Sequence, residues 1–121
     1  MATKWQNIQY QLDAWCKEYG INPELVKFYG WEDLNHDGKF VLGNETEYPS
    51  GWSAIRLGKN FEDRSLGWLE LSVLWHEYCH AECYLEDMKG NSHDDTWRAK
   101  KNRKTKYVIG DAIAKLVYPF L

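Results

Sequence analysis

The sequence lacks the features that mark several classes of protein. No apolar run reaches eighteen residues, which excludes a membrane-spanning helix. The first seven residues lack the apolar segment of a secretory signal. Three cysteines without a Cys-x-x-Cys pair fit a reducing compartment better than a disulfide framework. We therefore expect a cytoplasmic protein with no membrane partner.

Charge and composition set further bounds. The formal net charge of −3 is too small to predict a partner by itself. Apolar residues make up 44% of the chain and charged residues 27%, which is typical of a folded domain. A chain of 121 residues can bury one core, so we predict a single domain over residues 1–121. The seven tryptophans are expected to fill this core rather than to stack on bases.

Hydrophobic periodicity predicts four helices. The first begins near Thr3, which has capping-box spacing from Gln6, and ends at Gly20. Gly90 ends the second helix and Pro119 the last. The second, third and fourth helices are predicted at Ser65–Lys89, Asp95–Lys104 and Tyr107–Val117.

The region between the first two helices is predicted to form short strands. Three segments are rich in aromatic and β-branched residues and lie between turn-forming residues: Leu25–Trp31, Lys39–Leu42 and Trp52–Leu57. An Asp-Gly pair, Asp37-Gly38, predicts a hairpin between the first two. The expected fold class is therefore α+β, with a small, mostly antiparallel sheet packed on the long second helix and helices at both ends of the chain.

The long helix carries two stripes of different character. One stripe is apolar throughout and predicts a core-facing surface: Leu71, Leu74, Tyr78, Ala81, Leu85 and Met88. The other stripe begins with Leu69 and Val73 and continues with His76 and His80. A helix buried on two sides is expected to lie between the sheet and a second helical layer.

His76, Glu77 and His80 form the pattern His-Glu-x-x-His within this helix. Residues four apart lie one turn apart on the same face, so both imidazoles can bind one metal ion. The intervening glutamate then lies beside the metal, where it can accept a proton from bound water. The pattern predicts one Zn²⁺ per chain, with Glu77 as the general base.

A catalytic zinc site uses three protein ligands and leaves a position for water, so a third ligand is needed. His93 follows His80 by thirteen residues, where the chain can fold back, and we predict it as that ligand. Asp94 and Asp95 are alternatives because carboxylates also bind zinc. Cys83 is a further alternative because it lies on the same stripe as both histidines.

The segments His76–Ala81 and His93–Arg98 resemble the motifs of the SprT-like metallopeptidases, which include the Spartan proteases that degrade proteins crosslinked to DNA. The resemblance covers about Trp52 to Arg103. It implies a minimal zincin-like domain, a zinc-dependent endopeptidase activity and a protein substrate, including protein bound to DNA. Trp97 and Arg98 occupy the positions that follow the third ligand in the family, and they would support the ligand-bearing segment.

Two departures from the family pattern stand out. The third ligand of the family usually lies between glycines, whereas Ser92 and Asp94 flank His93 here. The zinc ribbon that some members carry is absent from this sequence, because it has no Cys-x-x-Cys pair. Any contact with nucleic acid must therefore come from this domain. For the group that stabilises the oxyanion, Tyr107 and Arg98 are both chemically able.

A basic run supplies the alternative function. Six cations occur within nine residues that contain no acid: Arg98, Lys100, Lys101, Arg103, Lys104 and Lys106. They could follow a phosphate backbone, or they could form a solvated helix end. The alternative to the peptidase is thus a nucleic-acid-associated binding or adaptor domain with a structural or vestigial zinc site.

A second metal motif is incomplete. Asp33, Asn35 and Asp37 match the first half of an EF-hand calcium loop. The twelfth position should be a bidentate glutamate but is Asn44, and Glu45 comes one residue late. We therefore predict a hairpin turn here rather than a Ca²⁺ site.

Overall fold

The computed structural model describes residues 1–36, 39–63, 67–87 and 93–118. Its helices are α1 (Lys4–Glu18), α2 (Trp68–Asp87), α3 (Asp95–Lys101) and α4 (Thr105–Val117). Its strands are β1 (Val26–Glu32), β2 (Asn35–His36), β3 (Lys39–Phe40), β4 (Gly43–Tyr48) and β5 (Trp52–Gly58). Short 3₁₀ turns at Pro23–Leu25 and Lys59–Phe61 complete these elements. The α+β class is as predicted.

The main sheet is mixed rather than mostly antiparallel. Its strand order is β1-β5-β4, with β1 parallel to β5 and β4 antiparallel to β5. Helix α1 covers the outer edge of β1. The Gln9 side chain on α1 accepts a hydrogen bond from the Phe28 amide at 2.8 Å and donates one to the Val26 carbonyl at 3.1 Å. This leaves β4 as the other edge of the sheet.

The sequence prediction missed β4. Its residues, Gly-Asn-Glu-Thr-Glu-Tyr, include types that are depleted in strands, and the pair Gly43-Asn44 is typical of a turn. The strand forms because it pairs with β5 from Gly43 opposite Leu57 to Tyr48 opposite Trp52. Cross-strand pairing and burial outweigh the weak intrinsic propensity of these residues.

The predicted strand Lys39–Leu42 is shorter in the structure. Lys39–Phe40 pairs antiparallel with Asn35–His36 in a separate two-stranded unit, so the hairpin partner of this segment is β2 and not β1. The Asp37-Gly38 turn lies outside the described residues, and it includes Asp37, one of the three side chains that match the EF-hand loop. The other two, Asp33 and Asn35, are exposed.

The helices largely follow the sequence prediction. The capping box is present at the start of α1, where Thr3 Oγ1 accepts from the Gln6 amide at 3.1 Å and Gln6 Oε1 accepts from the Thr3 amide at 2.8 Å. Both predicted ends of the second helix, Ser65 and Lys89, lie outside the described residues, as does Gly90. Helix α3 ends three residues before the predicted Lys104, and α4 begins at Thr105.

Helix α2 lies at the centre of the fold and is buried on both stripes. Leu74 and Tyr78 on the apolar stripe are fully buried, and Val73, His76 and His80 on the other stripe are at least 92% buried. The sheet and α4 both pack against α2, as the two stripes predicted. No described helix has the length and apolar character needed to cross a membrane.

Aromatic side chains fill the core beneath the apolar stripe. Trp15, Trp75, Tyr78 and Tyr107 contact one another with ring centroids between 5.1 and 6.1 Å apart. The Trp75 Nε1 group donates to the Lys101 carbonyl at 2.9 Å, which satisfies its polar atom. Trp15 and Trp75 are core residues, as the composition predicted, but the prediction is wrong for Trp5 and Trp68, which are 46% and 44% exposed.

Helix α4 approaches α2 very closely at Gly110. A Cβ atom at this position would lie 1.9 Å from Ser72 Oγ and 2.8 Å from Ser72 Cβ. Only glycine permits this approach without a shift of one helix. The consequence for the site is direct, because the next residue, Asp111, is thereby held against the histidine stripe of α2.

Candidate metal centre

The three predicted histidines converge on one point. His80 Nε2 lies 3.3 Å from His76 Nε2 and 3.1 Å from His93 Nε2. One ligand atom from each of the three lies within 4.8 Å of the others, so the group could hold a metal ion. Burial lowers the pKa of His76, and desolvation lowers that of His93. Both shifts favour the neutral imidazole that binds metals.

The third histidine is positioned by the start of α3. Asp94 caps this helix, because its carboxylate accepts from the Trp97 amide at 3.0 Å. Trp97 is buried and its ring stacks on His93 and His80, with centroids 4.4 and 4.9 Å apart. The ring also meets His76 edge-on at 4.8 Å. Trp97 thus contacts all three imidazoles, and its supporting role stays a prediction from the family resemblance.

The alternative third ligands are engaged elsewhere. Asp94 Oδ1 is used in the helix cap, and the fully exposed Asp95 side chain pairs with Arg98 at 3.4 Å. Cys83 is buried further along α2 and is not among the side chains that converge at the histidines. Within the described part of the chain, only the three histidines come together as a metal-type group.

Asp111 is a part of the site that the sequence analysis did not identify. Its Oδ2 atom lies 3.0 Å from His76 Nδ1, which leaves the Nε2 atom of His76 directed at the other imidazoles. Although burial alone would raise the pKa of Asp111, the hydrogen bond with His76 and the ion pair with Lys101 together hold it well below its usual range. A carboxylate that orients a histidine in this way is common behind metal ligands.

The effect of Asp111 on metal binding can be measured. Replacing Asp111 by Asn is expected to lower the affinity for Zn²⁺ or Co²⁺ by about 10- to 100-fold, because the variant loses the charge that orients His76 and makes it more basic. Competition with a chelating dye gives the affinity. Asp95→Asn is the matched control, since the exposed Asp95 side chain lies on α3 and makes no contact with a histidine among those described. Equal losses in both variants would contradict a specific role for Asp111.

Glu77 lies beside the histidines and is buried against β4. Its Oε2 atom is 3.9 Å from His76 Nε2. A Cβ atom at Gly43 would lie 3.0 Å from the same oxygen and 2.9 Å from a Val73 methyl group, so the start of β4 packs tightly over this side chain. Burial, with a smaller contribution from Asp111, raises the pKa of Glu77 to about 8. A nearby cation would lower this pKa again, so the carboxyl suits a site that holds one.

A cleft of about 530 Å³ opens over the histidines. Besides Glu77, its walls carry apolar side chains from Val41 and Leu42, and polar groups of Glu45, Lys115 and Tyr118. The sequence analysis assigned none of these last three residues to the metal site. All are distant in sequence from the histidine motif, and no local pattern marks them.

The two side chains suggested for oxyanion stabilisation do not line the cleft. Tyr107 is buried in the aromatic core beside Trp15 and Trp75. Arg98 is exposed and pairs with Asp95 on the outside of α3. Arg98 therefore supports α3 itself rather than the histidines.

Most cations of the basic run pair with carboxylates of the protein. Lys100 and Arg103 both bind the buried Glu82, and Lys104 binds Glu18. Lys101 binds Asp111, and Lys106 lies 4.9 Å from the ring centroid of Tyr107. These pairs connect all four helices, α1 to α4, and reduce the charge that is available to phosphates. Contact with nucleic acid through this run stays a prediction.

Comparison with known proteins identifies no relative. No family model matches the chain, and neither the curated proteins nor the solved structures searched contain a match.

Proposed function

We propose that this protein is a zinc-dependent endopeptidase with a zincin-like arrangement of the SprT type. The observation that carries the proposal is the convergence of three imidazole Nε2 atoms beside a buried glutamate in an open cleft. Two of the imidazoles and the glutamate come from one helix, and the third imidazole comes from the segment before α3. This combination is what hydrolysis at a metal centre requires.

Zinc is the metal that fits the donor set best. Three imidazole nitrogens are typical zinc ligands, and at zinc–nitrogen distances of about 2.0–2.1 Å in a tetrahedron they would be roughly 3.3 Å apart. His80 Nε2 lies 3.3 Å from His76 Nε2 and 3.1 Å from His93 Nε2. Three protein ligands leave one position for water, which is the arrangement of catalytic rather than structural zinc.

Glu77 would act as the general base and then as the general acid. His76, His80 and His93 would hold a zinc ion, and its Lewis acidity would lower the pKa of a water at the remaining position to about 7. The Glu77 carboxylate accepts the proton of the attacking water and returns it to the leaving amine nitrogen. Gly43 holds the carboxylate in place, because the backbone of β4 packs directly over it.

The cleft also offers groups for the oxyanion. Lys115 and Tyr118 line it, and both can donate a hydrogen bond to a developing negative charge. Lys115 is held near the site by Asp111, at 3.3 Å from Oδ2. These two residues replace Tyr107 and Arg98 as candidates for this role.

The position of β4 supports a peptide as substrate. The strand is an edge of the main sheet and its first residues line the cleft next to Glu77. An extended peptide can add to such an edge through main-chain hydrogen bonds, which requires no particular sequence. Protein bound to DNA remains the substrate class that the family resemblance suggests.

The proposal is tested by metal analysis together with a cleavage assay. We expect about one zinc per chain, cleavage of a denatured fluorescent protein, loss of cleavage on chelation and recovery on addition of zinc. Mass spectrometry of the products must show new amino termini inside the substrate. A chain that binds one zinc but cleaves no denatured or DNA-bound protein would instead be the binding domain with a vestigial site.

A further inference from the structure

Glu45 is a buried carboxylate in the wall of the same cleft. Its side chain lies on β4 and is only 5% exposed. One carboxylate oxygen, Oε2, accepts a hydrogen bond from Ser53 Oγ on the adjacent strand. The other, Oε1, is buried, and apart from the neighbouring Glu47 carboxyl no described group donates a hydrogen bond to it. An ionised carboxylate in this position is costly unless a positive charge satisfies it.

The strand places Glu45 close to the reacting centre. Side chains two residues apart on a strand point to the same face, so Glu45 shares the inner face of β4 with Gly43. Gly43 packs on Glu77. Glu45 lies two residues further along the strand, so its Cα atom is roughly 7 Å from that of Gly43. Both Gly43 and Glu45 line the cleft. A group that reaches Glu45 from the cleft would therefore lie one or two peptide units from Glu77.

The surroundings of Glu45 add negative charge. Burial is the main cause that raises its pKa to about 9, and a side-chain hydrogen bond with the Glu47 carboxyl and the nearby charges of Glu47 and Glu77 raise it further. Glu47 also has one buried carboxylate oxygen without a hydrogen-bond partner. Among the described residues that line the cleft, the cation is Lys115, and it is paired with Asp111. The inner face of β4 thus presents carboxyl groups for which the described residues provide no positive partner.

A metal ion is not the occupant that this geometry favours. Metal sites require several ligand atoms within a few ångströms, and in the described part of the chain only the three histidines come together in that way. A long side chain that ends in a cation needs a single carboxylate at the end of an apolar channel. Val41 and Leu42 provide apolar walls in the same cleft.

We propose that Glu45 forms a specificity subsite for a lysine or arginine side chain of the peptide substrate, within two residues of the bond that is cleaved. The proposal rests on the peptidase function proposed above. The aliphatic part of the substrate side chain packs on Val41 and Leu42, and its cation pairs with the Glu45 carboxylate. Ser53 holds the other oxygen and fixes the orientation of the carboxylate.

Binding to an inactive form tests this subsite separately from turnover. The zinc-loaded Glu77→Gln variant is titrated with neutral fluorescent peptides that carry one lysine at successive positions, each matched with a norleucine peptide. The tightest lysine peptide is expected to bind about 10- to 100-fold better than its norleucine partner, which is the usual range for a hydrogen bond to a charged group. Fluorescence anisotropy gives the affinities.

The double variant Glu77→Gln/Glu45→Gln is expected to bind both peptides within about threefold of each other. Glutamine keeps the size of the side chain and the hydrogen bond from Ser53, so thermal unfolding should change little. Glu24→Gln in the same background is the matched control, because Glu24 is exposed in the turn before β1 and does not line the cleft. It should keep the full preference for lysine.

Two results would overturn the subsite. One is that the Glu77→Gln protein binds the lysine and norleucine peptides equally well, or binds neither of them. The other is a lysine preference that survives in the double variant. Cleavage by the wild-type chain is measured separately. If the protein cleaves its substrate without a preference for lysine, only the subsite proposal is contradicted. If it prefers lysine through Glu45 but does not cleave, only the peptidase proposal is contradicted.

Discussion

Replacing Glu77 by Gln is expected to reduce cleavage by about 10²- to 10⁴-fold and to leave zinc bound. Glutamine has the shape of glutamate but cannot accept the proton of the attacking water. Glu77 Oε2 lies 3.9 Å from His76 Nε2 and is held by the backbone at Gly43, so its main contribution is to proton transfer rather than to holding the metal. The loss should fall on kcat, with KM nearly unchanged.

A matched variant on the same helix separates this effect from a general change of charge. Glu86→Gln removes a carboxylate from the exposed part of α2, where Glu86 pairs with Lys100 and lies away from the cleft. It should keep both zinc and cleavage. If Glu77→Gln cleaved at the wild-type rate, the general base would be another group. If it lost zinc, Glu77 would be a ligand.

The local part of the site was predictable because it depends on one helix. The spacing of His76 and His80 on α2 follows from helix geometry alone, and the two stripes of this helix predicted burial on both sides. His93 was predicted from its type and its distance along the chain, and the structure brings it to 3.1 Å from His80. Trp97 was predicted from resemblance, and it contacts all three imidazoles.

The non-local part of the site could not be predicted in this way. Asp111 follows His76 by 35 residues, and it reaches the imidazole only because Gly110 lets α4 pack tightly on α2. Glu45 lies on a strand whose composition resembles a loop, and only pairing with β5 shows which of its side chains face the cleft. No single segment contains the information that places either carboxylate.

The basic run is a second feature that sequence alone could not interpret, because the charges that pair with it lie far away along the chain. In the sequence, six cations without an acid are compatible with a surface for phosphates or with a solvated helix end. In the structure, Arg103 makes two hydrogen bonds to Glu82, at 2.9 and 3.1 Å, and Lys104 binds Glu18 from α1. These partners are 21 and 86 residues away, respectively. Charge counted along a chain therefore overstates the charge that the folded surface presents.

Replacing His93 by Ala is expected to lower zinc affinity by more than about 100-fold. Removing a residue that hydrogen-bonds to a ligand typically costs about 10- to 100-fold, and this variant removes a ligand itself. His93 is exposed and lies before α3, so its removal leaves no cavity in the core and the fold should persist. Zinc content after dialysis and competition with a chelating dye give the result. His36→Ala, which changes the fourth histidine of the chain, is the matched control and should bind zinc as the wild type does.

The outcome also decides between the ligands that the sequence left open. If His93→Ala kept wild-type zinc affinity, the third ligand would be another of the candidates Asp94, Asp95 and Cys83, and Asp94 would be the first to examine. Asp94→Ala alone would not answer that question, because it also removes the cap of α3 and costs about 0.5–2 kcal/mol of stability. Asp94→Ser keeps a capping oxygen but removes the carboxylate. A loss of zinc in Asp94→Ser and not in His93→Ala would therefore assign the third ligand to Asp94 and contradict the three-histidine centre.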